Sequence, residues 1–134
     1  MAFRVYDIKE KKWLKENIYL NPNNELFLIK KGLFGTTKIP LDAERYVFHQ
    51  DIYLYDKQNI LVYEGDYIRA RIVEGKEEIG LVAYAHELSG YVMLCVDNDT
   101  FYTLGSTTTE FIEVIGNVFD GYSEEKNDGK QTLQ

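Results

Sequence analysis

Residues 56–73 read DKQNILVYEGDYIRARIV and contain two turn signals and two strand signals in succession. The polar cluster 56–59 predicts a turn, and the apolar run 60–63 predicts a short strand. The segment Glu64–Asp66 interrupts that strand, because its glycine lets the backbone adopt a positive φ. From residue 67 to residue 73 apolar and polar side chains alternate with a period of two, which is typical of a strand buried on one face.

The same two signals continue on both sides of this stretch and predict a mainly β protein. The chain begins with a hairpin signal, in which the runs Phe3–Ile8 and Trp13–Leu14 flank a charged turn. Beyond residue 59, turn signals recur roughly every 8–12 residues. Short twisted strands of this kind close into small barrels, because closure removes exposed strand edges. We therefore expect a small SH3-like or related twisted β-barrel in the second half, preceded by an N-terminal β-hairpin or meander.

Three parts of the chain differ in composition. The segment Gly32–Pro40 looks irregular, with two glycines, two threonines and a proline, and it marks a boundary. We expect an N-terminal β portion over 1–40 and a β-barrel-like core over 41–121. The last residues, 122–134, are polar and charged and have almost nothing to bury, so they predict a disordered tail.

The composition of the 134 residues favours strands and a protein partner. Hydrophobic residues make up 45% of the chain, which excludes the disordered class, and the 11 tyrosines and 7 phenylalanines suit pleated surfaces. The net charge is −7, whereas a phosphate backbone attracts proteins through lysine and arginine. At this charge a protein partner is easier to accommodate than a nucleic acid.

The single cysteine and the lack of long apolar runs predict a cytoplasmic location. Cys95 cannot form an intramolecular disulfide, which fits a reducing compartment. The N-terminus lacks the apolar region of a signal peptide, and no apolar run approaches the ~20 residues that span a bilayer. We therefore expect a cytosolic protein without membrane association.

Three segments, taken together, carry a resemblance to a known family. They are Phe3–Asp7 with the run that ends at Trp13–Leu14, the turn Asp56–Asn59 leading to Tyr63–Asp66, and the segment Glu113–Phe119. In order and rough spacing they are similar to the YopX family of phage and prophage proteins. The resemblance implies a phage origin and a mainly β fold, and it implies no reaction. Asn59 stands where the family often has glycine, and asparagine tolerates the positive φ of such a turn.

The most distinctive motif of the central stretch is Tyr63, Glu64, Gly65 and Asp66. Its carboxylates could serve a metal ion or a partner, although two carboxylates alone make a poor cage for a cation. A structural role is favoured, in which Gly65 permits a positive φ and Asp66 accepts backbone N–H groups where the next strand starts.

Tyr67, Arg69 and Arg71 are predicted to lie on one face of that next strand. An aromatic ring and two guanidinium groups at a period of two could stack on and pair with single-stranded nucleic acid. The alternative is a solvated face whose arginines pair with nearby acids such as Glu77 and Glu78. The net acidity of the chain favours this alternative.

Tyr53 and Tyr55 form a second candidate surface. They occupy one face of a predicted strand, while Ile52 and Leu54 occupy the other. Tyrosine buries a large area at low entropic cost and is enriched at interfaces. A tyrosine face that the N-terminal segment leaves uncovered would bind a partner or a second copy.

No constellation of catalytic or metal-binding residues stands out. The two histidines, His49 and His86, have no cysteine or carboxylate at a recognised metal spacing, and Cys95 is interpreted as a buried structural thiol. Segments 32–38 and 97–100 resemble a phosphate loop and a calcium loop only superficially. We therefore expect no enzymatic activity, no metal and no cofactor.

Two functional hypotheses follow from these patterns. The preferred one is a non-enzymatic protein-interaction module that binds another protein or forms a homo-oligomer. The alternative is a single-stranded nucleic-acid-binding β-barrel protein that uses Tyr67, Arg69 and Arg71. The net charge opposes the alternative.

Overall fold

The computed structural model describes residues 2–15, 17–71, 75–104 and 112–124, and most of these residues lie in strands. No α-helix occurs within these ranges, so the prediction of a mainly β protein is confirmed. The described ranges likewise contain no helix long and apolar enough to cross a membrane.

The described ranges contain thirteen strands, β1 to β13 in chain order. They are β1 (Phe3–Asp7), β2 (Lys12–Trp13), β3 (Ile18–Leu20), β4 (Leu26–Gly32), β5 (Gly35–Pro40), β6 (Tyr46–Tyr55), β7 (Leu61–Tyr63), β8 (Asp66–Arg71), β9 (Glu77–Ala85), β10 (Gly90–Cys95), β11 (Phe101–Thr103), β12 (Ile112–Asn117) and β13 (Gly121–Tyr122). The chain forms two compact units, residues 2–49 and the residues from Gln50 onward. Strand β6 runs from the first unit into the second. The units therefore divide inside a strand, and not at the composition change near residue 40.

The first unit contains an N-terminal hairpin and a three-stranded antiparallel sheet. β1 and β2 pair antiparallel, with Tyr6 opposite Trp13, so the predicted N-terminal hairpin is confirmed. β3, β4 and β5 form an antiparallel sheet in that order. The expectation that residues 32–40 are irregular is wrong, because β5 pairs with β4 along its whole length. Its glycine and proline lie only at the two ends, and β-branched residues fill most of the strand between them.

Asp7 fastens the end of β1 to the residue that precedes β6. Its side chain is only 3% exposed, and its Oδ1 accepts the main-chain N–H groups of Lys9 and Glu10 at 3.0 and 3.2 Å. The Arg45 guanidinium donates from Nε to Oδ1 at 2.8 Å and from Nη2 to Oδ2 at 2.7 Å. These hydrogen bonds hold the pKa of the Asp7 carboxyl well below its ordinary value, because they favour the charged form.

The second unit contains the end of β6, β7 and a six-stranded antiparallel sheet with the order β11–β10–β9–β8–β12–β13. This sheet is curled into a half-barrel, which agrees with the barrel-like core predicted from the sequence. β13 includes Tyr122, so the strands extend past residue 121; the predicted tail from residue 125 onward lies outside the described residues. The buried core cluster comprises Ile52, Val62, Ile68, Ala70, Val82, Met93, Leu104 and Ile112.

Asp56 holds the β6–β7 turn onto β12. The residue is 3% exposed, and its Oδ1 accepts the N–H groups of Gln58 at 2.9 Å and Ile60 at 2.8 Å. Its Oδ2 accepts the N–H of Val114 at 3.0 Å, across 58 positions of sequence. Asn59 adopts a φ of +65°, the conformation expected of asparagine at this position. One buried carboxylate thus fixes both a local turn and a distant strand.

Replacing Asp56 by alanine is expected to lower the free energy of unfolding by roughly 2–4 kcal/mol, because three charge-assisted hydrogen bonds are lost together. The measurement is urea denaturation followed by circular dichroism. Asn98→Ala is the matched control, since Asn98 Oδ1 accepts the Thr100 N–H at 2.8 Å in an exposed turn of the same unit. That control should cost less than about 1 kcal/mol. Equal losses in the two variants would contradict this role of Asp56.

Candidate functional site

The most exposed large apolar side chains of the described residues lie at the tip of the β4–β5 hairpin. Leu33 and Phe34 form its two-residue connection and are 91% and 97% exposed. Every residue from Lys30 to Lys38 is exposed, so the outer part of this hairpin is covered by no other described element. We call residues 30–38 the arm. The apolar surface of its tip stays in water, although burial would contribute a free energy of roughly 25 cal/mol per Å².

The geometry of the turn does not require these two apolar residues. Tight turns favour glycine, asparagine, aspartate and proline for their backbone conformations. The special conformation in this turn falls on Gly35, whose φ is +134°. Polar residues at positions 33 and 34 would close the hairpin as well, so the reason for Leu33 and Phe34 lies outside the hairpin itself.

Lysines flank the apolar tip on both strands of the arm. Lys30 and Lys31 precede it, and Lys38 follows it. The Lys38 Nζ lies 4.4 Å from the centroid of the Phe27 ring, close enough for a cation–π interaction. The arm therefore combines two exposed apolar side chains with three positive charges.

An apolar pocket of about 390 Å³ lies at the base of the same hairpin. Its volume falls within the range of small-ligand sites. Glu25 and Ala43 belong to its lining, and the exposed acids Asp42 and Glu44 flank Ala43 in the chain. The main apolar lining comes from Leu26, Phe27, Pro40, Leu41, Tyr46 and Phe48.

Charge is divided unequally between the two units. Residues 2–49 contain nine lysines and arginines against six acidic residues, whereas residues 50–134 contain six against sixteen. The net negative charge of the chain therefore comes from the second unit. A partner that binds the arm therefore meets positive charge, although the net charge of the whole chain is negative.

Arg69, predicted to lie on an open basic face, is 6% exposed and paired. Its Nη1 donates to Glu113 Oε1 at 2.8 Å, and its Nη2 donates to the main-chain oxygen of Glu124 at 2.7 Å. Its Nε lies 3.8 Å from Glu77 Oε1, and Glu77 is one of the two acids that the sequence suggests as partners. The guanidinium would have to leave these partners before it could bind a phosphate.

The other two residues of that predicted face differ from Arg69. Tyr67 is half-buried, and its ring centroid lies 4.5 Å from that of Tyr122 on β13. Arg71 is exposed at the end of β8, where it lies opposite Glu77 in the β8–β9 register. The three side chains therefore occupy one strand but do not form one open surface.

Tyr53 and Tyr55 are 72% and 50% exposed, and both lie where β6 departs from regular pairing. The register with β7 shifts between Asp51 and Tyr55. Tyr53 adopts a φ of +60°, an uncommon conformation for a bulky residue, and Asp51 Oδ2 accepts its N–H at 3.1 Å. The irregularity directs a tyrosine into solvent, so this tyrosine pair is a second candidate contact surface.

The motif from Tyr63 to Asp66 forms a tight turn between β7 and β8. Asp66 is 1% exposed, and its Oδ2 accepts the Tyr63 N–H at 2.9 Å. Gly65 has a φ of +86° and donates its N–H to the Val82 oxygen at 2.8 Å. Glu64 Oε1 accepts the N–H of Gln50 at 3.3 Å. Both carboxylates of the motif thus contact the main chain.

The histidines and other possible ligands form no metal-binding group within the described residues. His86 packs edge-on against Tyr84 with a centroid separation of 5.0 Å. His49 is half-buried 6.3 Å from the Trp13 ring, and the Arg4 guanidinium lies 4.5 Å from the same ring. Burial, and then the charge of Arg4, lower the pKa of His49 to about 4. Its imidazole is therefore neutral at pH 7.

Cys95 packs against the core cluster of the second unit and is partly buried. Burial raises the pKa of its thiol. The protonated form therefore dominates at neutral pH, and a protonated thiol is a poor nucleophile.

The sequence patterns predict neither the arm nor the pocket, because the composition of residues 32–40 favours an irregular segment. The signal that could have found the arm is a Leu-Phe pair between two glycines, with a strand-like run on each side. The pocket had no such signal, since its lining comes from residues 24–27 and 40–48, which meet only in the folded unit.

Comparison with known proteins identifies relatives over most of the chain. The family model described as YopX protein matches residues 2–122, so the resemblance inferred from three segments is confirmed. The crystal structure of YopX from Bacillus subtilis is similar with a TM-score of 0.60 and 12% identity, covering 89% of this chain and 93% of that chain. Protein EF1440 from Enterococcus faecalis has a TM-score of 0.48 and 19% identity, covering 87% and 92%. None of the curated proteins matches the chain. At 12% identity the Bacillus structure shows a shared fold alone.

Replacing Arg69 by alanine is expected to lower the free energy of unfolding by about 3 kcal/mol, because buried Glu113 loses its ion pair at 2.8 Å and keeps only the Lys57 Nζ at 3.7 Å. Urea denaturation monitored by circular dichroism measures the loss. The control is Arg71→Ala on the same strand, which should cost less than about 1 kcal/mol. The double variant Arg69→Met/Glu113→Leu should recover most of the loss, since it removes both charges. An equal effect of the two arginine substitutions would contradict this assignment.

Stability of the first unit is expected to fall as the pH drops from 6.5 towards 4, in part through His49. The folded-state pKa of His49 lies below its ordinary value of 6.5, so the unfolded chain binds more protons in this interval. The stabilisation is complete above pH 6.5 and is lost towards pH 4. The fluorescence of Trp13, the single tryptophan, reports unfolding of this unit.

The variant His49→Gln should show a shallower dependence of unfolding free energy on pH than the wild type over this interval. His86→Gln is the matched control, because His86 is exposed. It should retain the dependence of the wild type. The explanation fails if His49→Gln leaves the dependence unchanged.

Proposed function

The chain belongs to the YopX family, and on that basis we propose that it is a non-enzymatic protein-interaction module of phage or prophage origin. The observation that carries the proposal is the exposed tip of the arm, where Leu33 and Phe34 are more than nine-tenths accessible. The proposed contact is insertion of these two side chains into an apolar depression of a partner protein. The protein catalyses no reaction in this proposal.

The energetics of the tip suit an anchor for a protein partner. Burying a leucine or phenylalanine side chain contributes about 1.5–3 kcal/mol relative to leaving it in water. The paired strands β4 and β5 present both side chains on an ordered support, so less entropy is lost on binding than for a flexible loop. A small number of such anchors commonly dominates the energy of an interface.

A membrane or a nucleic acid suits the arm less well as a binding partner. Two apolar side chains bury too little area to anchor a protein stably to a bilayer. Sequence-tolerant binding of single-stranded nucleic acid relies on several stacked rings beside cations. The arm offers one exposed ring, Phe34, and the guanidinium of Arg69 on β8 is already paired. We place the interaction in the host cytosol, because the lone Cys95 suits a reducing compartment.

The double variant Leu33→Ser/Phe34→Ser is expected to weaken partner binding by roughly tenfold to a hundredfold, because it removes the anchoring side chains. Its stability should be unchanged, since both side chains are exposed. The partner is identified by placing the photoreactive residue p-benzoylphenylalanine at position 34 of the full chain and irradiating host cells that express it. Mass spectrometry names the cross-linked protein, and calorimetry with that purified protein measures the affinity.

Two matched variants locate the contact surface. Leu88→Ser/Phe101→Ser removes apolar residues that are 51% and 50% exposed on the second unit, and it should leave the affinity unchanged. Tyr53→Ser/Tyr55→Ser tests the tyrosine surface. If only the tyrosine variant weakens binding, the tip is not the contact surface. If cross-linking at position 34 captures nucleic acid instead of protein, the proposal of a protein-interaction module is overturned.

A further inference from the structure

We infer that the pocket at the base of the β4–β5 hairpin receives Leu33 and Phe34 from a second copy of this chain. The inference rests on the proposed function and names its partner. Two copies would lie with their arms antiparallel, so that each tip enters the other copy's pocket. Four features of the first unit support this arrangement: the length of the hairpin, the placement of tip and pocket, the charges beside them, and the residues at the sheet edge.

The length of the hairpin prevents a tip from filling its own pocket. β4 runs over seven residues from Leu26, which lines the pocket, to Gly32, which precedes the tip. At about 3.4 Å per residue the tip lies roughly 20 Å from the pocket. All six residues of β5 pair with β4, so the hairpin is continuous up to Gly35 and cannot fold back. Only another molecule can bring Phe34 into the pocket.

The placement of tip and pocket at opposite ends of one hairpin suits a two-fold axis. When two identical hairpins lie antiparallel, the tip of each copy reaches the base of the other at the same time. Such an interface uses the same patch on both copies and closes as a dimer without exposing a further tip. Both copies then bury Leu33 and Phe34, which doubles the apolar area removed from water.

The charges beside the two contact regions are complementary. Lys30 and Lys31 lie next to the tip, whereas Glu25 lines the pocket and Glu44 follows its lining residue Ala43. In the antiparallel arrangement the lysines of one copy approach the carboxylates of the other. Opposite charges placed in this way favour one orientation of the partner and speed its association.

The edge of the sheet shows which groups make the contact. β5 is the last strand in the order β3–β4–β5, so a second copy could in principle add a strand there. Lys38 lies within β5 and Pro40 ends it, and lysine and proline both oppose strand addition. The contact is therefore assigned to side chains in the pocket. Phe27, Tyr46 and Phe48 supply aromatic rings there against which Phe34 can pack edge to face.

Photo-cross-linking between an unlabelled chain and a ¹⁵N-labelled chain tests the contact directly. The full chain with p-benzoylphenylalanine at position 34 is mixed with an equal amount of ¹⁵N-labelled wild-type chain and irradiated. Mass spectrometry should find the position-34 peptide joined to a ¹⁵N-labelled peptide from residues 24–27 or 40–48. Cross-links confined to one molecule, or directed to the second unit, would overturn the inference.

Sedimentation equilibrium with five variants tests the energetics. Phe34→Ser, and Ala43→Trp, which fills the pocket, should each weaken dimerisation by roughly tenfold to a hundredfold. Lys30→Glu/Lys31→Glu should also weaken it, and adding Glu25→Lys/Glu44→Lys to that variant should restore it. Leu88→Ser is the control and should dimerise as the wild type does. Circular dichroism verifies that each variant is folded.

The outcomes separate this inference from the proposed function. A wild-type chain that stays monomeric, or charge reversals that do not rescue each other, would overturn the inference. If position 34 then cross-links to a different protein in host cells, the interaction module stands and its partner is not a second copy. If position 34 cross-links to no protein in either experiment, both proposals are wrong. Salt-sensitive capture of nucleic acid by the arm would also overturn both.

Discussion

A carboxylate removed from water must be met by hydrogen-bond donors, and this constraint organises the turns of the protein. Asp7, Asp56 and Asp66 are each at most 3% exposed, and each accepts at least one main-chain N–H of its own turn. Asp56 also binds the N–H of Val114, so a local turn fixes the position of a distant strand. Without these bonds the same three carboxylates would disfavour the folded state. The segments that carry the family resemblance contain these aspartates or bind one of them, which explains why the resemblance concerns fold more than function.

The same constraint explains why the predicted basic face on β8 is closed at Arg69. A period of two shows that the polar side chains of a strand share a side, but it does not show whether water covers that side. β8 lies inside the six-stranded sheet, between β9 and β12. Arg69 is enclosed there by Glu113 and by the main chain of Glu124, which is 55 positions away in sequence. A buried guanidinium needs such partners, and only the fold brings them to it.

The arm differs from these sites, because apolar side chains at its tip are left in water. The two apolar residues at its tip are not needed to form the turn, which would close without large apolar side chains. Leu33 and Phe34 therefore depart from the usual placement of apolar residues inside, as functional surfaces often do. Tyr53 is a second departure, because a bulky residue with a φ of +60° is held by Asp51 and projects into solvent. The surfaces that are best suited to bind a partner are therefore formed by residues that the fold does not need for its own stability.

The sequence by itself determined the mainly β class, the hairpin that pairs Tyr6 with Trp13, and the turns at Asp56 and Gly65. These features depend on neighbours in the chain, where alternation and turn chemistry act directly. Only the tertiary structure decided that residues 35–40 pair with β4 and that Arg69 is buried. It also decided that the pocket forms from residues 24–27 and 40–48, and that the strands divide into two units inside β6. The physical reason is that burial and pocket shape are set by segments far apart in sequence, whereas local patterns record only what each segment can do alone.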